Sequence, residues 1–406
     1  MPQTLSTACV VAGGGPAGMM AGYLLARAGV DVIVLEKHKD FFRDFRGDTI
    51  HPSTMQVMKE LGLLDDFLKV PHNAVKYAEA EIGGRVYRIG DFTHLPVACR
   101  FIAFMPQWDF LNFLAQKAKS LPHFRLMMGT EAKSLLRRNG RVVGVRAATA
   151  QGEMDIAAGL VIAADGRHST LRPAAGFVAA DLGAPMDVLW FRLERKDGED
   201  KAVLGRVGAD SMLVMLDRRD YWQCAFVIRK NGLEALKREG LSKFRARVAK
   251  LARRANADEI GRWDDVKLLT VTVNRLERWH QPGLLFIGDA AHAMSPIGGV
   301  GINLAIQDAI AAANILAGPL KDGTLSEDDL AAVQRRRRFP TRATQALQVA
   351  IQNWIVDPLL DGNGPARAPA ILRLMQHWPW LQRFPARVIG LGFRPEHVRV
   401  QPEMSR

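Results

Sequence analysis

Cysteine is nearly absent from these 406 residues, with only Cys9, Cys99 and Cys224 far apart in the chain. They match neither a metal-ligand spacing nor a disulfide framework, which points away from a structural metal. A reducing, cytoplasmic compartment is expected. No stretch of about 18 or more residues is uninterruptedly apolar, so no membrane-spanning helix is expected. The segment Met1-Pro2-Gln3-Thr4 lacks the basic region of a signal peptide, and glycines 13–15 break the apolar run behind it. That run reads as a first strand. Repeats and low-complexity linkers are missing as well.

What is present suits a large core: 48% of the residues are hydrophobic, enough for one or two intimately packed domains. The net charge is +13, and from residue 331 onward there are 12 arginines and no lysine against four acids. Such a region attracts anions (a nucleotide, an acidic substrate or an anionic membrane) or is simply a solvated helix face. No nucleic-acid motif accompanies it, so nucleic acid is not expected as a partner. Arg335 to Arg338 precede Phe339-Pro340, and Trp354, Trp378 and Trp380 follow. A helical layer packed on the rest of the protein is favoured over peripheral membrane contact.

The first chemistry-bearing pattern is a strand–turn–helix–strand. Residues 8–12 form a short apolar run that leads into Gly13-Gly14-Gly15-Pro16-Ala17-Gly18. An Ala- and Leu-rich helix follows, and residues 31–36 form a second apolar strand ending in Glu36. In such a βαβ unit Gly13 permits the tight turn, Gly15 admits a pyrophosphate, and Gly18 lets the helix approach the strand. Phosphate then lies at the helix N-terminus, beside Ala17. Glu36, with Lys37 after it, stands where a ribose hydroxyl is recognised. The unit specifies a dinucleotide without choosing between FAD and NAD.

Two further apolar strands end in glycine–acid pairs: residues 160–164 before Asp165-Gly166, and residues 284–287 before Gly288-Asp289. The second continues through Ala290-Ala291-His292 to Pro296-Ile297-Gly298-Gly299-Val300-Gly301-Ile302-Asn303. Together with the first glycine motif, these residues resemble the single-component (group A) FAD-dependent monooxygenases of the para-hydroxybenzoate hydroxylase type. The ubiquinone-biosynthesis, phenol and salicylate hydroxylases and the tetracycline-modifying monooxygenases belong to the same family. Matches in order extend from residue 8 to about 316.

The resemblance implies an α/β fold: a Rossmann-like FAD-binding domain with an inserted antiparallel-sheet substrate domain and C-terminal helices. The expected FAD-binding segments are 1–75, 100–180 and 276–330, the substrate-binding segments 76–99 and 181–275, and the helical region 331–406. Helices are expected near 303–316, 327–338 and 341–356. Asp289 would accept hydrogen bonds from the ribityl hydroxyls. Gly301, Ile302 and Asn303 would turn a helix N-terminus toward the flavin N1–C2=O edge, with Gly301 at positive φ. Pro296, Gly298 and Gly299 would border the ring. Asp165-Gly166, with Arg167 and Arg172 nearby, would serve FAD and NAD(P)H, and Arg46-Gly47 would reach ribityl or phosphate oxygens. Gln107 stands where many members carry Arg and leaves a hydrogen bond without the charge.

His292 is expected to be structural, and His51 either structural or in touch with flavin or substrate. Only Tyr23, Tyr77, Tyr87 and Tyr221 occur, none in a motif matching the family's phenol-deprotonating relay, so the proton acceptor stays open. The implied reaction uses NAD(P)H as transient electron donor and O2 to hydroxylate an aromatic or aromatic-like small molecule through a C4a-hydroperoxyflavin. A flavin-dependent halogenase or reductase shares the scaffold, and a flavin-binding protein without turnover would keep the same motifs. The halogenase pattern Trp-x-Trp-x-Ile-Pro is broken in Trp378-Pro379-Trp380-Leu381-Gln382. Met212, Met215, Trp222, Cys224 and Phe226 are candidates for the substrate pocket, of which alternation allows about half to face inward.

Overall fold

A computed structural model describes residues 3–42, 49–195, 205–218, 220–253, 255–363 and 368–403. Arg46 and Gly47 lie outside the described residues. Strand β1 (Gln3–Ala12) runs into α1 (Pro16–Arg27) and β2 (Val32–Glu36), the expected βαβ unit. Cys9, Val10 and Val11 are wholly buried because parallel strands are covered on both faces. Next come α2 (Pro52–Glu60), the hairpin β3 (Tyr77–Ile82) and β4 (Arg85–Asp91), and α3 (Gln107–Ala118). Strands β5 (Phe124–Met128), β6 (Glu131–Arg138), β7 (Arg141–Thr149) and β8 (Gly152–Ala163) follow.

The middle of the chain supplies β9 (Met186–Glu194), β10 (Gly205–Val207), β11 (Met212–Asp217) and β12 (Tyr221–Arg229). Helices α4 (Leu233–Glu239) and α5 (Leu241–Ala252) then precede β13 (Lys267–Leu269), β14 (His280–Gln281) and β15 (Leu284–Phe286). The chain finishes with α6 (Gly301–Asp322), α7 (Glu327–Ile351), α8 (Ala370–His377) and α9 (Arg383–Gly390).

Two sheets organise these elements. The first has the order β14-β15-β8-β1-β2-β5, with the hairpin partners β7 and β6 continuing from β8. Its strands β15, β8, β1, β2 and β5 are mutually parallel. Both glycine–acid pairs and the first glycine loop therefore emerge at one end of neighbouring strands. The second sheet runs β13-β9-β12-β11-β10-β3-β4 and is antiparallel except between β10 and β3. Residues 76–99 and 181–275 thus meet in one sheet.

Alternation gives the second sheet two different faces. Leu189, Phe191, Met215, Trp222, Cys224 and Phe226 pack under α4 and α5 with Leu236, Phe244 and Val248. Val188, Trp190, Val214 and Ala225 belong to the opposite face, where Val349 of α7 joins them. There Met212 and Val227 also meet Ile297. Of the five pocket candidates, then, Met215, Trp222, Cys224 and Phe226 turn away from the glycine loops into their own core. Only Met212 faces them.

Helix α6 has the length and composition of a membrane span, yet 72% of its most apolar 18-residue stretch is buried within the protein, so it is the core helix. Helix α7 runs straight through Pro340, where two helices were expected. Pro340 costs the helix one N–H, and the Thr344 hydroxyl donates to the Pro340 carbonyl at 2.8 Å. Leu330 and Val333 bury α7 against the main core. Arg337, expected on a basic helix end, is wholly buried. On α8, Leu372 packs inward, while Ile371 and Leu374 are exposed, as are Trp378 and Trp380 after it and Phe384 on α9.

Candidate functional site

The glycine loop between β1 and α1 is shaped by what a side chain would strike. Gly13 has φ +110, and a Cβ there would overlap the Ala164 carbonyl. A Cβ at Gly18 would overlap the Gly13 carbonyl. A Cβ at Gly15, by contrast, would meet nothing within 4 Å. Gly15 caps α1 without any side-chain hydrogen bond, so the first-turn N–H groups around Ala17 and Gly18 have no side-chain cap. An open space facing uncapped donors fits a pyrophosphate. Glu36 is buried at the end of β2; it accepts from the Gly14 N–H at 3.1 Å and from the His38 N–H at 3.0 Å. The carboxylate is thereby fixed against the loop, whereas the Lys37 side chain is exposed.

The two glycine–acid pairs are brought together by arginines that the sequence leaves ambiguous. The Arg172 guanidinium donates to the carbonyls of Asp289 and Ala290, each at 3.1 Å. Arg167 reaches the Asp289 carboxylate at 3.4 Å. Asp165 accepts the Leu171 N–H at 3.0 Å through one oxygen, and its other oxygen is buried without a partner. Burial pushes the Asp165 carboxyl above the usual carboxylate range. Gly166 takes φ +84, which turns the chain there. Gln107 begins α3 after Pro106 and is half-buried.

Below this junction lies a buried charge network. The Asp308 carboxylate accepts from the Gly288 N–H at 3.1 Å and pairs with His292 at 2.6 Å and Arg337 at 2.9 Å. Burial alone would raise the Asp308 pKa, but His292 and Arg337 together hold it below the ordinary value. Arg337 also reaches Glu396 at 3.3 Å and Gln307 at 3.2 Å. His292 is thus a structural link, as expected, and secures the turn that carries Asp289.

The loop from Pro296 to Val300 is pinned from three sides. Gly298 and Gly299 take φ +76 and +64. Thr49 donates its hydroxyl to the Gly299 carbonyl at 3.1 Å. The wholly buried His51 lies 3.1 Å from the same carbonyl by Nε2 and 2.7 Å from the Ile389 carbonyl by Nδ1. Burial outweighs those two carbonyls and lowers the His51 pKa to about 4, so the ring is neutral and its proton belongs to the shorter contact. From α7, the Gln348 amide donates to the Ser295 and Ile297 carbonyls, each at 2.9 Å, and accepts the Ser295 N–H at 3.1 Å. Gln345 and Gln352 flank it, both buried. Three glutamines at positions i, i+3 and i+7 are a polar stripe on one helix face, and that spacing is the signal by which Gln348 was findable.

Helix α6 starts at Gly301 with Val300 as its cap and no side-chain hydrogen bond there. The Asn303 side chain is buried and accepts from the hydroxyls of Ser53 and Thr54. One expectation fails: Gly301 lacks a positive φ, and a Cβ there would meet only Met294 at 3.8 Å. The left-handed positions are Gly298 and Gly299, one turn earlier, because the loop bends before the helix begins.

An open glycine cradle, a fixed acid at the second strand, an orphaned buried carboxylate oxygen and an uncapped helix start form the outline of a dinucleotide-binding flavoprotein. The FAD binding domain family model matches residues 6–347, and the chain belongs to this family. FAD is its cofactor, and the protein is an oxidoreductase. It is 33% identical over 346 residues to a 6-methylpretetramide 4-monooxygenase of Streptomyces rimosus, across 84% of this chain and 82% of that one. Among solved structures it resembles the anhydrotetracycline hydroxylase of Streptomyces rimosus, with TM-score 0.74, 22% identity, and 97% and 77% of the two chains covered. A myxobacterial chondrochloren halogenase has the same fold, with TM-score 0.75, 18% identity, and 98% and 94% covered. Fold alone therefore does not separate hydroxylation from halogenation.

Proposed function

We propose that this protein is an FAD-dependent monooxygenase that hydroxylates a fused-ring aromatic small molecule with NAD(P)H and O2. The observation that carries the reading is the junction where Arg172 and Arg167 hold the Asp165-Gly166 turn against Asp289, beside the glycine cradle. Gly13, Gly15, Ala17, Gly18 and Glu36 would hold the adenosine diphosphate half, and Asp165, Asp289 and Gln107 the ribityl chain. The backbone at Gly301, Ile302 and Asn303 would hold the flavin's pyrimidine edge. Bound FAD, once reduced by NAD(P)H, supplies activation of O2 for insertion of one oxygen atom at an electron-rich carbon, with water as the other product.

The chain's own residues provide position and dryness. The uncapped start of α6 favours negative charge on the group it faces. Thr49, His51 and Gln348 hold the Pro296–Gly299 loop in one shape. The Val188, Val214 and Ala225 face of the second sheet excludes water from the opposite side. The relative that acts on 6-methylpretetramide supports a fused-ring substrate. Trp378 and Trp380 are exposed on the surface, which removes the one feature resembling a halogenase tunnel motif. Three buried free cysteines agree with a cytoplasmic location. In this reading segments 1–75, 100–180 and 276–330 bind FAD, and 76–99 with 181–275 bind substrate.

The test is direct. Purified protein should carry about one FAD per chain, and NAD(P)H oxidation should rise with an aromatic polyketide library. Label from 18O2 should appear in the product. Flavin-loaded protein that turns over halide but never incorporates 18O would overturn the hydroxylase reading.

A further inference from the structure

On the face of the second sheet that looks toward Ile297 and Ile389, two side chains keep buried donors without acceptors. Trp190 packs among Val214, Ile389, Val188 and Val349, and its indole Nε1 is buried with no acceptor. Gln223 is 4% exposed; its Oε1 accepts from Arg218 Nε at 3.2 Å, while its Nε2 is buried without a partner. Buried tryptophan and amide N–H groups almost always have acceptors, because an unpaired donor keeps its full desolvation penalty. Two such orphans on one sheet face call for a common explanation.

The register supplies it. Trp190 pairs with Ala225 on the neighbouring strand, and Gln223 lies two residues further along that strand. The two are diagonal neighbours on the same face, with Cα atoms about 7–8 Å apart. Around them lie the apolar side chains of Val188, Val214, Leu216 and Ala225, with Lys267 opposite Trp190 and Arg192 opposite Gln223. Ile389 of α9 touches both Trp190's cluster and the space beside Gly298 of the ring-bordering loop. Ile389 therefore connects the face that carries both orphan donors to that loop.

We infer that Trp190 and Gln223 are specificity-determining residues that donate their free N–H groups to two acceptor oxygens of the substrate. The ligand class follows: a flat, apolar ring system with two oxygen acceptors spaced across it, as in a dihydroxylated or keto-bearing fused aromatic. A hydrocarbon of equal shape leaves both donors unpaired. An amine at either position sets donor against donor. This inference rests on the monooxygenase reading above, which puts the substrate against this face, and it adds what the face selects.

The test uses FAD-loaded protein without NAD(P)H and three probes of one shape: 2,6-dihydroxynaphthalene, 2,6-dimethylnaphthalene and 2,6-diaminonaphthalene, titrated by calorimetry. The wild type should prefer the dihydroxy over the dimethyl probe by at least about tenfold. Trp190→Phe keeps a ring and loses the donor, so the preference should fall about 3- to 10-fold. Gln223→Glu keeps an acceptor for Arg218 and replaces the orphan donor by an oxygen, so it should shift the preference toward the diamino probe. FAD content reports folding for each variant. A wild type indifferent to the oxygens, or full preference retained in both folded variants, overturns the inference. Failure of the monooxygenase reading would show separately, as wild-type protein without FAD or without 18O transfer.

Discussion

His51 shows how a single residue can be assigned by its surroundings rather than its type. Sequence leaves it between flavin contact and structural service, because position 51 belongs to no motif. Complete burial and two carbonyl neighbours give it a structural task, the tethering of the Gly299 loop to Ile389. Its pKa is lowered to about 4 in the folded protein, against about 6.5 unfolded. Between pH 6.5 and pH 4 the unfolded chain binds a proton that the folded chain refuses, so stability falls as pH drops through that window and levels off below it. The loss attributable to His51 is about 3 kcal/mol. His51→Gln, which cannot titrate, should lose less stability than the wild type between pH 7 and pH 4.5 by urea unfolding of the FAD-bound form. Equal losses would mean that His51 is protonated in the fold. The glycines make a matching point. The sequence reveals that residues 298–301 need backbone freedom, but not which of them. Only the bend before α6 places the left-handed residues at 298 and 299 and leaves Gly301 unstrained.

At the scale of elements, β1, α1, β2, β8 and β15 are legible because their signals are local: apolar runs ending in glycine or acid. The alternation of β9, β11 and β12 is equally legible, but its sign is not. Helices α4 and α5 claim the face with Trp222, Cys224 and Phe226, and nothing within those strands says so. Links between distant segments are illegible for the same reason. Arg172 meets Asp289 117 residues away, and Gln348 meets Ser295 53 residues away. The Gln348 link is testable as an element effect, since α7 holds the loop at residues 295–297 through it. Gln348→Leu strands two buried backbone groups of Ser295 and the half-buried Ile297 carbonyl, which should cost at least about 2 kcal/mol in urea unfolding. At saturating FAD, anaerobic stopped-flow should also show slower reduction by NAD(P)H. Wild-type stability together with wild-type reduction would mean that the loop holds its shape unaided.

At the scale of the whole molecule, the arginine excess after residue 331 proves to be partly internal. Arg336 meets the Glu396 carboxylate at 2.8 and 3.0 Å, and Arg337 bridges it to Asp308. Glu396→Ala would leave Arg337 short of a partner in a buried site, which should cost about 3–5 kcal/mol. Glu403 pairs with His123 at the surface, so Glu403→Ala should cost about 0–1 kcal/mol. Thermal unfolding of the two variants side by side checks the contrast, and equal shifts would remove the network from the account of stability. Charge totals are readable from sequence, but whether a charge faces water or another charge is decided by the fold. The tail does one thing more: the Glu403 N–H donates to the Arg27 carbonyl at 2.9 Å, on the helix that follows the glycine cradle. The cradle and the residue that braces its helix thus lie far apart in sequence and meet only in the fold. A chain cut anywhere between the two would keep the glycine turn but lose this tie to its helix.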